Sequence, residues 1–179
     1  MKNFNKKNIK EFSLSYIDCL KGLLDEIDVL KVEECFKILE LARRNKKNIF
    51  VLGNGGSAST ASHIANDFGL AALKVSHLNN SDPYKVISLS DNNAIVTALG
   101  NDNGFENIFV EQVKVLYNPG DIIIVISASG NSANLINACD WVNQNSGTSI
   151  GWLGFDGGKL LNLVDCPLLI KTPKGQYAP

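Results

Sequence analysis

From residue 48 onward, short runs of β-branched and aliphatic residues alternate with segments of helical periodicity, and this alternation constrains the fold more than any other feature. The runs occupy residues 48–52, 85–89, 121–126, 148–153 and 168–171. They are apolar at nearly every position, the pattern of strands buried on both faces, and parallel neighbours need crossover connections that are usually helices. The predicted fold class is therefore α/β, a parallel five-stranded sheet flanked by helices.

Two amphipathic helices precede the sheet. Tyr16, Ile17, Leu20, Leu23, Leu24 and Ile27 recur at helical spacing, as do Val32, Cys35, Phe36, Leu39 and Ala42. Together they predict a helical hairpin over about residues 5–45. The second helix runs into Arg43-Arg44-Asn45-Lys46-Lys47, a charge run suited to a solvated helix C-terminus rather than to nucleic acid.

A chain of 179 residues with 45% hydrophobic content is ordinary for one domain, predicted here over 1–179. Seventeen Lys and Arg against eighteen Asp and Glu leave a net charge of -1, so the surface as a whole has no field to gather nucleic acid or an anionic membrane. An anionic ligand must be held by a local site. Cys19, Cys35, Cys139 and Cys166 form no C-x-x-C pair and have no histidine at ligand spacing, which reads as reduced core thiols of a cytoplasmic protein. The first residues are mixed and polar, and no apolar run reaches the roughly 18 residues of a membrane span, so neither export nor insertion is expected.

Ligands of open parallel sheets bind beyond the carboxyl ends of the strands. Three segments there are rich in small polar residues. Gly53-Asn54-Gly55-Gly56-Ser57 follows the first run, and its glycines allow close backbone approach while Ser57 is placed to cap the next helix. Ser127-Ala128-Ser129-Gly130-Asn131-Ser132 follows the third run and opens a helix with apolar face Leu135, Ile136, Cys139 and Val142. Hydroxyls, main-chain N–H groups and a helix dipole can together hold a phosphate without Lys or Arg. Both loops also read as plain capped turns, although one serine suffices for a cap. Gly100-Asn101-Asp102 is a weaker signal, with Gly100 placed as a helix C′ residue.

Gly53, Gly55 and Ala58 satisfy the dinucleotide pattern G-x-G-x-x-A, but the next recognisable strand ends near Ser90-Asp91, well beyond the roughly 20-residue spacing of a ribose-binding acid. The P-loop pattern is absent.

These loops, with Asp156-Gly157-Gly158-Lys159 as a fourth, resemble in order and spacing the signature loops of the phosphoheptose isomerase family of SIS (sugar isomerase) proteins. The resemblance covers about residues 5–178 and implies a SIS-type, flavodoxin-like fold. It implies an aldose–ketose isomerase converting sedoheptulose 7-phosphate to D-glycero-D-manno-heptose 7-phosphate for surface-glycan heptose, acting as a homotetramer with sites at subunit interfaces. The alternative within the same fold is a non-catalytic sugar-phosphate-binding adaptor, like the relative that associates with the bacterial replication initiator. The positions implied to contact substrate are Asn54, Gly55, Gly56, Ser57, Asn101, Asp102, Ser127, Ala128, Ser129 and Ser132. Ala128 stands where the family commonly has Thr, which removes one hydroxyl.

In that family the helix after the first loop carries a His and, four residues on, a Glu that serves in proton transfer; both can bind zinc. Here the pair is His63 and Asp67, a carboxylate one methylene shorter. The family also draws a Gln and a His from a long C-terminal helix, and no such pair follows Lys171 in this sequence. With two ligands, the expected zinc site of one ion per subunit is weak or absent unless a neighbouring subunit contributes.

On a helical wheel His63 and Asp67 lie nearly opposite Ala61, Ile64, Ala65 and Phe68, the stripe that should face the sheet. They read either as a solvent-exposed pair or as a face lining a cleft completed by another subunit. The signature loops favour the cleft. His77, among Asn79, Asn80 and Ser81, reads as an exposed loop residue.

Overall fold

The computed structural model describes residues 8–71 and 82–172. The first helix, α1 (Ile9–Asp25), begins earlier than its periodicity suggests because the Asn8 side chain accepts the Glu11 N–H at 3.2 Å. Helix α2 (Val29–Arg44) is capped by Asp28, whose carboxylate accepts from Leu30 and Lys31. The two differ in what they bury. Helix α2 sets Cys35, Leu39 and Ala42 into the core, whereas no residue of α1 is buried.

The sheet comprises β1 (Asn48–Gly53), β2 (Lys85–Ser88), β3 (Ile122–Ser127), β4 (Thr148–Gly154) and β5 (Cys166–Ile170). All pairs are parallel, in the order β2-β1-β3-β4-β5, the flavodoxin-like order. The fifth strand starts two residues before its predicted run and takes in Pro167, which an edge strand tolerates because one side of its backbone is unpaired.

Period-two alternation divides the core. Phe50, Leu52, Ile123 and Val125 point to one face, covered by α5 (Ile108–Leu116) and α6 (Ala133–Gln144). Ile49, Val51, Ile122 and Ile124 point to the other, covered by α2 and by α3 (Gly56–Ile64) through Ala61. Helix α4 (Asn93–Asp102) precedes α5. At the amino ends of the strands, buried Asp121 accepts from Asn48 N, Asn48 Nδ2 and Asn118 N, joining the start of β1 to the turn before β3.

Cys35, Cys139 and Cys166 are buried as predicted, Cys19 only partly, and all are unpaired. Burial pushes the Cys166 thiol up to about 11, so it is inert at neutral pH. Among the described residues, no helix is long and apolar enough to cross a membrane.

A polar clamp ties α2 to the segment entering β2. Glu40 accepts from Arg43 and from Tyr84 Oη at 2.8 Å, while the Arg43 guanidinium lies 5.7 Å from the Tyr84 ring centroid and donates to Asp82 O. The Arg43 hydrogen bonds, then that of Tyr84, lower the Glu40 carboxyl from 4.5 to about 2. A carboxylate with a depressed folded-state pKa contributes stability that is present above its unfolded value and lost as pH falls toward the folded one. The melting temperature should therefore decline more steeply in the wild type than in Glu40→Gln between pH 5 and pH 2.5. Parallel declines measured by circular dichroism would remove Glu40 from the acid response.

Candidate functional site

The strand order reverses at β1, with β2 on one side and β3 on the other, so a crevice opens beyond the carboxyl ends of β1 and β3. The loops leaving those two strands are Gly53-Asn54-Gly55 and Ser127–Ser132, and the helices they open, α3 and α6, bring their N-terminal amides to the same place.

The first loop is tighter than a serine cap would make it. Gly55, not Ser57, is the N-cap of α3 and no side chain caps the helix. Ser57 lies in the first turn, its N–H donating to Asn54 O at 3.0 Å, because the carbonyls of Asn54 and Gly55 already take the first amides. The predicted Ser57 cap is thus replaced by backbone, which leaves its hydroxyl unspent on capping. Gly53 permits this turn: a Cβ there would stand 2.6 Å from the Ser57 backbone.

The second loop has the same economy. Ser132 is the N-cap of α6 without a side-chain cap bond. Buried Ser127 accepts the Gly130 N–H at 3.0 Å and exposed Ser129 accepts that of Asn131 at 3.3 Å, so each hydroxyl hydrogen remains to donate. The fourth motif backs this loop. Leu160 N donates to Gly130 O and Lys159 N to the Asn131 side chain, drawing residues 157–160 against it. Gly130 has φ +62°, and a Cβ there would stand 1.8 Å from Gly157 O.

The third motif forms differently from its predicted turn. Gly100, Asn101 and Asp102 complete the last turn of α4, and the left-handed residue beyond it is Gly104 (φ +87°), because the helix continues two residues past Gly100. Asn101 donates to Asp102 at 2.7 Å, and neither hydrogen-bonds to the first two loops. The following segment is nonetheless fixed to α6, where Asn137 donates to Glu106 O at 2.9 Å.

His63 and Asp67 pair as their spacing predicts, with Nε2 3.0 Å from Oδ2 and side chains 74% and 49% exposed. The backbone between them departs from the prediction. From Ala65 to Ala71 the helix adopts π geometry, a wider turn often found at functional sites. Phe68, predicted to face the sheet, remains 44% exposed and meets Tyr84 edge-on, with ring centroids 5.9 Å apart. Helix α3 is anchored by Asp91, which accepts from Ser62 and from Ser88 at the end of β2.

Among the described residues no group of three or more metal-ligating side chains is present. His63 and Asp67, bonded to each other, do not by themselves make a zinc site. His77 lies outside the described residues.

Sequence reasoning missed Asn134. It is 2% exposed in the first turn of α6 and exchanges two hydrogen bonds of 2.9 Å with Asn54 across the crevice. A polar residue directly before the apolar face that begins at Leu135 was the available signal.

The SIS domain family matches residues 15–151. The phosphoheptose isomerase of Trichlorobacter lovleyi is 36% identical over 98% of this chain and 86% of its own length. That of Clostridium acetobutylicum is 34% identical over 99% and 88%. This chain belongs to the phosphoheptose isomerase family. Among solved structures of the family, phosphoheptose isomerase GmhA from Neisseria gonorrhoeae superposes with a TM-score of 0.79 at 27% identity, covering 98% of this chain and 89% of that one. The phosphoheptose isomerase of Francisella tularensis gives 0.77 at 28%, covering 95% and 87%.

Because Gly130 combines left-handed backbone with contact against a carbonyl, Gly130→Ala should cost roughly 3 kcal/mol or more. That corresponds to a melting temperature lower by about 6–12 °C. A shift below about 2 °C by scanning calorimetry would show that the two loops part without cost.

Proposed function

We propose that this chain is a phosphosugar aldose–ketose isomerase that converts sedoheptulose 7-phosphate to D-glycero-D-manno-heptose 7-phosphate in surface-glycan heptose synthesis. The observation that carries the reading is the convergence of two uncapped helix N-termini, with unspent serine hydroxyls, on the β1/β3 crevice. Ser57, Ser127, Ser129 and Ser132 with the amides of Gly55 and Gly56 bind the phosphate, Ala128 contributing only its main chain. Asn54, Asn101 and Asp102 bind the sugar. The relatives are named phosphoheptose isomerases, which supports isomerisation of a phosphorylated heptose.

Isomerisation moves a proton between adjacent carbons through an enediol, so it needs a base beside the carbon and donors for the developing oxyanion. Asp67 is the base, and His63 orients its carboxylate. The π turn widens the helix at Asp67, which suits a carboxylate that must reach with one methylene fewer. His63 and Asp67 offer two ligands to zinc, and an ion bound there would need further ligands, such as a neighbouring subunit could contribute; no step depends on it.

The apolar residues left on α1 and α2, among them Ile9, Leu14, Val29, Leu30 and Phe36, support a homo-oligomer of four subunits that covers them and closes the cleft over His63. Residues 1–179 act as one SIS domain in the cytoplasm, in keeping with its unpaired buried thiols.

Sedoheptulose 7-phosphate should raise the melting temperature more than unphosphorylated sedoheptulose, and Ser129→Ala should shrink the difference. His63→Ala and Asp67→Ala should each lower aldose formation by about 10²-fold or more while preserving the ligand-induced shift. Asp67→Glu should retain turnover. Full turnover in both alanine variants would remove catalysis from the His63–Asp67 pair, and a wild type that binds the phosphosugar without turnover would move the protein to the adaptor reading.

A further inference from the structure

The two loops of the crevice are joined by one side-chain pair. Asn54 Nδ2 donates to Asn134 Oδ1, and Asn134 Nδ2 donates back to Asn54 Oδ1, each at 2.9 Å, between residues 80 positions apart. A carboxamide carries two N–H donors and an oxygen with two lone pairs. The reciprocal pair uses one donor and one acceptor from each residue and fixes both orientations, since rotating either amide breaks both bonds. Asn134 is 2% exposed, so a lost partner would leave a buried amide unsatisfied.

The first loop needs such a tie. It is glycine-rich, and its backbone bonds through Asn54 O and Gly55 O lie within its own turn. The second loop is buttressed by residues 157–160. Outside its own turn and helix and the β1–β3 ladder that ends at Gly53, the hydrogen bonds holding the first loop among the described residues are Ser90 Oγ to Gly53 O, at 3.2 Å on the β2 side, and the Asn54–Asn134 pair on the β3 side.

We infer that Asn134 is a positioning residue: through Asn54 it sets the Gly55 and Gly56 amides at the distance from Ser127–Ser132 that one phosphate ester bridges. The inference rests on the phosphosugar reading of the site. It also assigns Asn54 a limited part, because the pair leaves its side chain one N–H to give to a sugar oxygen.

Asn134→Asp replaces a donor by an acceptor at constant size, and Asn134→Leu removes both bonds while keeping the side chain apolar and similar in volume. Inorganic phosphate and sedoheptulose 7-phosphate should each bind about tenfold more weakly to both variants by titration calorimetry. KM should rise by the same factor with kcat within about threefold, because binding rather than proton transfer is disturbed. Unchanged affinities in folded variants would overturn the inference and leave Asn134 a structural residue. A wild type that binds phosphate but does not turn over sugar, with weaker binding in the variants, would sink the isomerase reading alone. A wild type that binds neither ligand would overturn both. Should the variants not fold, side-chain amide NMR of the wild type decides. Asn54 and Asn134 signals that shift on phosphate addition, with Asn134 slow to exchange, support the role, and signals unmoved at saturating phosphate overturn it.

Discussion

The parallel pairing of β1 with both β2 and β3 is the constraint from which the rest of this molecule follows. Crossovers of fixed hand that run in opposite directions along the sheet, β1 to β2 and then β2 past β1 to β3, must lie over opposite faces. Helix α3 therefore packs with α2 on one face, and α5 and α6 pack on the other. Where the two sets part, the loops after β1 and β3 meet over the crevice.

What the loops leave unbonded decides what that crevice can offer an anion. Helix N-termini are ordinarily satisfied by a capping side chain, at a gain of about 1 kcal/mol. Here neither α3 nor α6 has one. The forgone capping energy leaves hydroxyls and amides available to an anion, and a chain with a net charge of -1 needs that local arrangement because its surface attracts none. The loops are held instead by the close approach of Gly130 to Gly157, the Asp91 anchor and the Asn54–Asn134 pair.

The segment carrying Asp67 follows a different logic. A π turn costs backbone regularity, and it lies where the helix passes over an apolar hollow lined by Ile64, Phe68, Tyr84 and Trp152. Phe68 lies against Tyr84 beside that hollow, and the His63–Asp67 pair faces out.

Much of this was legible in the residues themselves. Continuous apolar runs announce strands buried on both faces, so the five-stranded parallel sheet, its helices and the two loops beyond β1 and β3 could be read in order. The i, i+4 spacing of His63 and Asp67 was enough to predict their contact, because neighbouring turns of a helix are local geometry. Capping was not legible: Ser57 and Ser132 have the right chemistry, but backbone carbonyls reached the first amides before them. Nor was the end of α4 at Asp102 rather than Gly100, since a single glycine weakens a helix without stopping it. The π turn and the Asn54–Asn134 pair belong wholly to tertiary structure. Each depends on groups far apart in the chain being brought within bonding or packing distance, and neither periodicity nor local spacing encodes that distance.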